Sequence, residues 1–434
     1  MQINIQKLLN GFHLADLRMK GKQSICLKSL DNLTNGNDFL LEIKNQLKIR
    51  GRNSIAIYGI TKNPTDNEYM MVMNYAEYGS LRKLLNNKLE NVTYLDKGGF
   101  GTVYKANWLD GFIKFSDQVV WHRKGKQSIC LKSLDNLTNG NDFLLEIKNQ
   151  LKIRGRNSIA IYGITKNPTD NEYMMVMNYA EYGSLRKLLN NKFEELTWGK
   201  KSSILINILY GLKNIHKMGL MHKDLHSGNI VNQNLTTSYI TDFGLCKPVS
   251  ENDPEKIYGV IPYMAPETLS RGEYTRASDI YSFGMVILEV LTSYPPYYNI
   301  PHNENLAIDI CRGLKPEIKC EIPQCLKEIM EKCWNFEPFI RPTAEELYSE
   351  FSNCFYGDSE IRKQVKKQIK VAKKSNKDFI KYDPNEMHSE AIYTSRLIPK
   401  ITIPVYDTFN SKQKIFSIPD NIIVEDKNET QEME

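Results

Sequence analysis

Polar side chains that could do acid–base and metal chemistry are concentrated in one stretch in the second half of the chain. His222-Lys223-Asp224 is followed by Asn229 and by Asp242-Phe243-Gly244, and Ala265-Pro266-Glu267 comes after them. A carboxylate can accept a proton, and carboxylate and amide oxygens can hold a divalent cation. Each piece is weak alone, because an isolated His-x-Asp is more often a turn with a capping aspartate. We know of no purely structural requirement that produces all four pieces in this order, so the stretch is a candidate catalytic site.

The order and spacing of these residues resemble the catalytic loop and the metal-binding turn of a protein kinase. The resemblance implies that Asp224 accepts the proton of a substrate hydroxyl and that His222 braces the loop from behind. It also implies that Asn229 and Asp242 hold Mg²⁺ on the phosphates of ATP. Other matching positions are structural or regulatory: Phe243, Gly244, Glu267, Asp279 and Arg341, with Ser250 and Tyr258 as candidate phosphorylation sites.

The resemblance extends over about residues 91–355 and is to the tyrosine-kinase-like branch of serine/threonine kinases. It implies an α+β, two-lobed fold with a small antiparallel β lobe that carries one main helix and a large, mostly helical lobe. We expect a kinase domain at residues 90–356, with the small lobe at about 90–178 and the large lobe at about 181–356.

Leu95 begins the stretch LDKGGFGTVYKANW, which resembles the glycine-rich loop that covers the phosphates of ATP. Glycine lets backbone N–H groups approach a phosphate closely. Asp96 replaces the first glycine of the family pattern, so the loop departs from that pattern there. The resemblance places these residues around ATP: Leu95, Gly98, Gly99, Phe100, Gly101, Val103, Cys130, Lys132, Met177, Asn178, Ala180 and Val231.

Lys132 follows the apolar strand SICL and stands where the family has the lysine that grips the α- and β-phosphates. Glu146, on a predicted helix that begins near Asp142, stands where the ion-pairing glutamate belongs. Together with Asp224 and Asn229, these two residues complete the catalytic set that the resemblance implies. Gln150 replaces an apolar residue of the family on that helix, so we expect it to loosen the inward position of the helix.

A segment of 69 residues occurs twice without change, because Lys20–Lys88 is repeated as Lys124–Lys192 at an offset of 104. Solenoid repeats drift in sequence and cover whole structural units, whereas this repeat begins partway through a lobe. It is therefore a recent partial duplication or an error of gene assembly. Only the second copy is flanked by a glycine loop and a catalytic loop, so we expect residues 1–89 to be a poorly ordered duplicate of part of the small lobe.

The net charge of +6 belongs to one segment, since residues 362–377 hold eight basic residues and no acidic one. Nucleic-acid binding by the whole chain is therefore not indicated. A solvated helix that ends the domain is favoured for residues 361–377, and the alternative is a site for an acidic partner or an anionic membrane. We expect the chain from Ser375 onward to be disordered. Within it, His388–Leu397 (HSEAIYTSRL) resembles a tail element of expanded fungal kinase families.

The eight cysteines are scattered, without the paired spacing of a zinc site, and this is typical of reduced thiols in a cytoplasmic or nuclear protein. We see neither a secretory signal nor an apolar run long enough to span a bilayer. The composition thus favours an intracellular protein, and it leaves the oligomeric state open.

Three functions remain open after the motifs are considered. The resemblance favours an ATP-dependent kinase that phosphorylates Ser or Thr of protein substrates. His226 and Gly259-Val260 match neither the serine/threonine nor the tyrosine pattern, so tyrosine or dual specificity is an alternative. Asp96 and Gln150 favour a pseudokinase scaffold, whereas the intact catalytic set opposes it. Phosphorylation of a small-molecule hydroxyl is a third possibility, which Ala265-Pro266-Glu267 and Asp279 disfavour.

Limited proteolysis tests the expectation for the duplicated segment. We expect protease to cut residues 1–89 well before the kinase domain, because a segment with few stabilising neighbours opens more often. The cleavage sites can be read by mass spectrometry of the first fragments. Protection of residues 1–89 equal to that of residues 181–356 would contradict the expectation.

Overall fold

The described residues of the chain, in a computed structural model, are 25–29, 57–62, 69–74, 89–98, 101–115, 121–133, 146–150, 153, 158–166, 173–248, 257–356, 359–399 and 401. The chain forms two compact units. One comprises residues 1–93, 105–131 and 162–176, and the other comprises residues 94–104, 132–161 and 177–434. The predicted sites Gly99, Phe100 and Ser250 lie outside the described residues.

The strands of the first half form two main sheets. Their bounds are β1 Ile25–Ser29, β2 Ile57–Lys62, β3 Tyr69–Asn74, β4 Leu89–Gly98, β5 Gly101–Trp108, β6 Ile113–Phe115, β7 Trp121–Arg123, β8 Gln127–Ser133, β9 Ile161–Lys166 and β10 Tyr173–Asn178. A five-stranded sheet has the order β4-β5-β8-β10-β9. Residues 146–150 are helical, where the sequence predicts the main helix of the small lobe.

The two copies of the repeat form the same three strands. Strands β1, β2 and β3 correspond by sequence to β8, β9 and β10, and they make a sheet of the order β1-β3-β2. Both pairings in that sheet are antiparallel. In the second copy β5 lies beside β8, whereas among the described residues the sheet of the first copy ends at β1. That residues 1–89 are loosely held stays a prediction.

The long link between β5 and β8 contains a small hairpin that the sequence did not predict. Strands β6 and β7 pair antiparallel from Ile113 opposite Arg123 to Phe115 opposite Trp121. At its base the N–H of Gly125 donates to the carbonyl of Asp110 at 3.0 Å. Gly111 has a positive φ of 65°, and a Cβ there would lie 2.2 Å from the carbonyl oxygen of Gly125. Glycine is therefore required at position 111, where the two segments at the base of the hairpin approach each other closely.

The second half is mostly helical, which confirms the predicted α+β fold class. The helices are α1 Leu185–Lys192, α2 Trp198–Lys217, α3 Pro266–Arg271, α4 Arg276–Thr292, α5 Glu304–Cys311, α6 Gln324–Cys333, α7 Ala344–Tyr356 and α8 Ser359–Ser375. Three short antiparallel strand pairs complete it: β11 Leu220–Met221 with β14 Lys247–Pro248, β12 Ile230–Asn232 with β13 Ser238–Ile240, and β15 Ile257–Gly259 with β16 Arg396–Ile398.

Helix α2 supports the loop that follows it. The side chain of Thr197 caps its N-terminus by accepting from the N–H of Lys200. Five apolar residues at helical spacing are completely buried: Leu205, Ile208, Leu209, Leu212 and Ile215. Gly219 follows with a φ of 77°, a conformation that favours glycine and redirects the chain into β11. Buried apolar contact along the whole helix therefore fixes the start of the catalytic loop.

The tail is ordered further than its composition predicts. The sequence predicted disorder from Ser375, but residues 376–399 are described and include β16, with Tyr382, Ala391 and Ile398 buried. The amide of Asn376 also exchanges two hydrogen bonds with the backbone of Glu321, at 2.8 and 2.7 Å. Aromatic burial and backbone pairing compensate here for a polar sequence. Residues 402–434 lie outside the described part.

Gly284 in α4 tests the packing of the helical core. A Cβ at this position would lie 2.6 Å from the Trp334 ring and 2.9 Å from Cβ of Cys333, and both of these residues are buried. We therefore expect Gly284→Ala to lower the free energy of unfolding by about 1–3 kcal/mol, because the neighbours must move. Gly199 in α2 is the matched control, since a Cβ there meets only Oγ1 of Thr197 at 3.9 Å.

Gly199→Ala should leave the stability unchanged or raise it by up to about 1 kcal/mol, as alanine favours a helix. Urea denaturation of both variants measures the difference. Equal effects of the two substitutions would contradict the close packing at Gly284.

Candidate active site

The catalytic loop between β11 and β12 holds Asp224 in a buried position. Asp224 is 6 % exposed. The side-chain amide of Asn229 donates to the backbone carbonyl of Asp224 and to its carboxylate Oδ2, each at 2.9 Å. The N–H of Thr241 donates to the carbonyl of Asn229 at 2.9 Å. The sequence-predicted base and the sequence-predicted metal ligand are thus joined directly, five residues apart in the chain.

A second buried carboxylate, Asp279 on α4, holds the backbone of the catalytic loop. It accepts the backbone N–H groups of His222 and Lys223, at 2.8 and 3.0 Å. Its Oδ2 also lies 2.9 Å from Nε2 of His216 on α2. Burial would raise the pKa of Asp279, but the hydrogen bond and charge of His216, with His222, bring it below its usual value. Lys223 has a φ of 71°, so this clamp also holds a strained residue in place.

His222 connects the loop to the Asp242-Phe243-Gly244 turn. Its Nε2 lies 3.0 Å from the carbonyl oxygen of Thr241, and its ring packs edge-on against Phe243 with the ring centres 5.6 Å apart. Phe243 is completely buried. The bracing role that the resemblance implied for His222 therefore has a direct structural basis.

Lys132, Glu146 and Asp242 form a buried ion cluster within one compact unit. Nζ of Lys132 lies 2.8 Å from Oε1 of Glu146 and 3.1 Å from Oδ1 of Asp242. Asn149 supports the turn by donating its amide to the carbonyl of Cys246 at 2.9 Å. The sequence predicted this set from positions far apart in the chain, and the structure brings all three together.

The charges of this cluster are shifted by burial and by one another. Burial would lower the pKa of Lys132, but the carboxylates of Asp242 and Glu146 raise it above its usual value. Burial raises the pKa of Glu146, and the ammonium of Lys132 offsets this only in part. Lys132 is thus a permanent cation at neutral pH, suited to bind phosphate oxygens.

The helix that carries Glu146 lies close enough to Lys132 to form the ion pair, despite Gln150. Gln150 is 2 % exposed, and its Nε2 is buried without a hydrogen-bond partner among the described residues. A buried unpaired amide costs about 1–3 kcal/mol. The sequence predicted a loosened helix at this point. In this structure the Lys132–Glu146 ion pair is formed nevertheless.

The donors of the site fit a divalent cation held together with phosphate. Within the described part of the chain, Oδ1 of Asp242 is buried and is held only by the ion pair with Nζ of Lys132 at 3.1 Å. The amide nitrogen of Asn229 is held by Asp224, so its amide oxygen is the atom that it can offer to a cation. No group of three or more His, Cys, Asp or Glu residues that could hold a metal occurs among the described residues. Further ligands would have to come from phosphate oxygens.

The residues predicted around the base and phosphates of ATP are placed individually. Met177 and Ala180 are buried, whereas Leu95, Val103, Cys130, Asn178 and Val231 are partly exposed. The side chain of Asn178 donates to Oε1 of Gln233 at 2.7 Å, and its N–H donates to the carbonyl of Ala160 at 2.8 Å. These bonds fix the segment after β10. Gly98 ends β4, and Gly101, with a φ of 157°, begins β5.

Asp96, which replaces a glycine of the family pattern, does not block this loop. Its Oδ2 forms an exposed ion pair at 2.9 Å with Nζ of Lys187 on α1. Its Oδ1 accepts the N–H of Lys97 at 3.0 Å. The carboxylate therefore points to partners at the protein surface and not to the position of a phosphate.

His226 is a functional candidate that the sequence identified only as a departure from the pattern. It is 5 % exposed, and its Nε2 lies 3.6 Å from Oδ2 of Asp224. Burial would raise the pKa of Asp224, but His226 and then His222 lower it below its usual value. A carboxylate with a lowered pKa keeps its negative charge at neutral pH. Asp224 is therefore in the ionised form that a general base needs.

Another buried charge lies behind the loop and was missed as a site feature. Glu289 on α4 is completely buried; Nη1 of Arg186 lies 2.6 Å from its Oε2, and the hydroxyl of Tyr263 donates to its Oε1. The Tyr263 hydroxyl also lies 3.1 Å from Oγ of Ser227. One feature of the sequence could have identified it: Glu289 is a single glutamate inside the apolar run 280–291. A charge within such a run needs partners.

The end of the activation segment is fixed by the predicted clamp. The two terminal guanidinium nitrogens of Arg341, Nη1 and Nη2, donate to Glu267 at 2.7 and 2.8 Å. Both side chains are buried. Oγ of Ser278 donates to the same carboxylate at 3.0 Å. Such a bidentate pair fixes orientation as well as charge.

Of the two candidate phosphorylation sites, Tyr258 is described. It lies in β15, and its carbonyl accepts the hydroxyl of Tyr274 at 2.5 Å. The ammonium of Lys223, which would pair with a phosphate in the activation segment, lies 4.2 Å from the centre of the Tyr274 ring. Whether Ser250 or Tyr258 is modified stays a prediction.

No helix in the described part of the chain is both long enough and apolar enough to cross a membrane.

The ion cluster can be tested by a double-mutant cycle. Lys132→Met leaves the carboxylates of Glu146 and Asp242 buried without their cation, so we expect a loss of about 3–5 kcal/mol in the free energy of unfolding. Glu146→Gln should destabilise the wild-type chain. In the Lys132→Met background it should be neutral or stabilising, because it removes the repulsion between the two carboxylates.

Urea denaturation of the four proteins measures the cycle. Lys192→Met is the control, since Lys192 is exposed and pairs with Glu195 at 2.6 Å on the surface, and there we expect no measurable change. An equal effect of Glu146→Gln in both backgrounds would contradict the electrostatic coupling.

Comparison with known proteins agrees with this geometry. Residues 89–351 match the family described as protein tyrosine and serine/threonine kinase. A Dictyostelium discoideum protein named as a serine/threonine-protein kinase is 30% identical over 259 residues, which cover 59% of this chain and 38% of that protein. An Arabidopsis thaliana LRR receptor-like serine/threonine-protein kinase is 28% identical over 299 residues, which cover 63% of this chain and 47% of the relative.

A further Dictyostelium discoideum protein, also named as a serine/threonine-protein kinase, is 26% identical over 272 residues, which cover 60% of this chain and 19% of that protein. The chain thus spans less than half the length of each of these three relatives. The family match covers more than half of the chain and includes Lys132, Asp224 and Asp242. The chain therefore belongs to the protein tyrosine and serine/threonine kinase family.

Proposed function

We propose that this protein transfers the γ-phosphoryl group of ATP to Ser or Thr hydroxyls of protein substrates. The observation that carries the proposal is the joint geometry of two sets in one compact unit. Asp224 is bonded to Asn229, and Lys132 is paired with both Glu146 and Asp242. Phosphoryl transfer asks the protein mainly for positioning and for charge stabilisation, and these two sets supply both.

Asp224 would act on the acceptor hydroxyl. Its lowered pKa keeps it ionised at neutral pH, so it can orient the hydroxyl and take its proton. Asn229 holds the carboxylate at 2.9 Å and thereby limits its rotation. Asp279 fixes the backbone of the same loop through His222 and Lys223. The base is therefore pre-positioned before any substrate binds.

Lys132, Asp242 and Asn229 would act on ATP. Lys132 would hold the α- and β-phosphates, and Glu146 keeps its ammonium in place at 2.8 Å. Asp242 and Asn229 would hold a divalent cation, for which we propose Mg²⁺, on the phosphate oxygens. Bound ATP and the cation supply the phosphoryl group and neutralise the charge on the leaving phosphate.

Preference for Ser and Thr is part of the proposal, and it is supported by the names of the relatives rather than by the loop. His226 occupies the position where serine/threonine kinases usually carry lysine, and Gly259-Val260 matches neither specificity pattern. Tyrosine and dual specificity are the alternatives. A peptide library that presents Ser, Thr and Tyr in the same sequence contexts discriminates these outcomes.

A catalytically silent scaffold is disfavoured by the geometry. Loss of catalysis in this family would be expected to remove the lysine, the glutamate or one of the catalytic carboxylates, but all are present and in contact. Asp96 and Gln150, which favoured the scaffold at first, leave the ion cluster intact. An acceptor that is a peptide and not a small molecule is supported by β15, which pairs with an extended segment of the chain itself.

The basic helix α8 has a structural role that supports the favoured sequence interpretation. Val365 and Ala372 are buried, and Oε1 of Gln368 accepts the N–H of Cys325 at 3.2 Å. The helix is thus one more packed element of this unit, with its basic side chains on the outside. Binding of an acidic partner or an anionic membrane by residues 361–377 stays a secondary proposal. The free thiols of the described cysteines support a reducing compartment such as the cytoplasm.

The proposed activity can be tested with Asp242→Asn. This change removes a metal ligand and a charge partner of Lys132, so we expect the transfer of ³²P from ATP to a generic protein substrate to fall by about 10²–10³-fold or more. Asp309→Asn is the matched control, because Asp309 on α5 is half exposed and far from the ion cluster in sequence. Its activity should equal that of the wild type. Equal signals from wild type and Asp242→Asn, or none from either, would favour the scaffold.

A further inference from the structure

The tail returns to the catalytic loop and presents one serine to it. We propose that residues 388–398 are a substrate segment bound within the same molecule and that Ser395 is the site of its autophosphorylation. The inference rests on the proposed kinase function, since it uses the same base and the same ATP. The pattern of residues 388–397 did not itself indicate this role, which follows from the geometry of the described residues.

The tail pairs as a strand with the activation segment. Strand β16 (Arg396–Ile398) lies antiparallel to β15 (Ile257–Gly259), with Gly259 opposite Arg396 and Ile257 opposite Ile398. Adding a strand to an exposed edge is a common way to bind an extended peptide. Strand β15 leads directly into the segment that Glu267 and Arg341 clamp. The tail therefore lies along the edge on which a peptide substrate would be expected to lie.

Hydrogen bonds and a ring contact around His302 hold the tail in place. The N–H of Ile392 donates to Nδ1 of His302 at 2.9 Å, and the N–H of His302 donates to the carbonyl of Glu390 at 3.1 Å. The guanidinium of Arg396 donates to the carbonyl of His302 at 2.5 Å. The ring of Tyr393 stacks edge-on against His302 at 4.8 Å between ring centres. The approach of the tail to the loop is thus fixed from both sides of Ser395.

Ser395 lies buried beside the catalytic base. It is 8 % exposed, and its hydroxyl lies within hydrogen-bonding reach of the Asp224 carboxylate. Two residues earlier, the ring of Tyr393 meets that of Tyr263 at 6.4 Å between ring centres, and the Tyr263 hydroxyl lies 3.1 Å from Oγ of Ser227 in the catalytic loop. Among the described residues, its hydroxyl is the only buried serine hydroxyl without a geometrically regular hydrogen bond. A buried hydroxyl beside a catalytic base is suited to become a reacting group.

Autophosphorylation of Ser395 would use only ATP and groups already named. The Ser395 oxygen would form a bond to the γ-phosphorus of ATP while the bond from that phosphorus to the β,γ-bridging oxygen breaks. The electron pair of the broken bond leaves with ADP. The hydroxyl proton passes to Asp224 and from there to solvent. The products are phosphoserine at position 395 and ADP, so atoms and charges balance.

Phosphorylation should release the tail. A phosphate carries about −1.5 to −2 charges at neutral pH, and here it would be placed beside the ionised Asp224 in a buried position. Repulsion and loss of hydration would therefore favour separation of β16 from β15. The unmodified tail blocks the edge on which other substrates would lie, and the modified tail opens it. Ser395 thus couples autophosphorylation to access for other proteins.

Incubation of the full chain with ATP and Mg²⁺, followed by peptide mass spectrometry, tests the proposal. We expect phosphate on Ser395, at a first-order rate that does not change when the protein is diluted tenfold, because the segment is bound within one molecule. Thr394→Ala is the matched control, since Thr394 is the exposed neighbour of Ser395 and its loss should leave this rate unchanged. Asp224→Asn should abolish the labelling.

A second readout follows transfer to a generic peptide added in excess. Ser395→Ala should be slower on this peptide than wild type pre-incubated with ATP, by about tenfold if most of its tail stays bound. Ile398→Asp places a charge on a buried residue of β16. Combined with Ser395→Ala, it should restore the rate of transfer to the peptide, because it releases the tail without phosphorylation.

The outcomes separate this inference from the function on which it rests. Peptide phosphorylation without any label on Ser395 overturns the inference and leaves the kinase function standing. A rate of Ser395 labelling that falls on dilution overturns binding within one molecule. No labelling of either substrate by the wild type means that the proposed function itself fails.

Discussion

The buried carboxylate of Asp279 is the interaction on which the candidate site depends most. Two backbone N–H groups of the catalytic loop, from His222 and Lys223, and the ring of His216 all point to it. Desolvating a carboxylate is costly unless donors replace the lost water, and here three donors replace it. The loop has no regular secondary structure of its own at this point. Its shape is therefore set by one charge on α4, a helix that is almost entirely buried.

The tail is connected to the same support through a second buried carboxylate. Glu289, which lies ten residues after Asp279 on α4, binds Arg186 and Tyr263. Arg186 lies over the ring of Tyr382 at 5.3 Å, and Tyr263 meets Tyr393 at 6.4 Å between ring centres. The aromatic residues of the tail thus rest on the partners of Glu289. One helix consequently orients the catalytic loop, the end of the activation segment and the segment that lies on it.

Much of the site could be predicted from the sequence, since Lys132, Glu146, Asp224, Asn229 and Asp242 are recognisable by type and order. Their mutual distances follow from a fold that the motifs already imply. The tail could not be predicted in the same way. Strand β16 is three residues long and pairs with β15 almost 140 positions away, so no local pattern reports the pairing. Its polar composition predicted disorder, whereas burial of single residues such as Ser395 and Ile398 depends on which surface they meet.

The repeat shows the same division between local and distant information. Two copies of an identical sequence form the same three strands in the same order, so strand identity and pairing are contained in the segment itself. The candidate site is contained in it only in part. Lys132 lies in the second copy and is paired with Asp242, which has no counterpart in the repeated sequence, and the equivalent lysine at position 28 is followed by no second catalytic loop. The chemistry therefore needs the sequence that follows the copy as well as the copy itself.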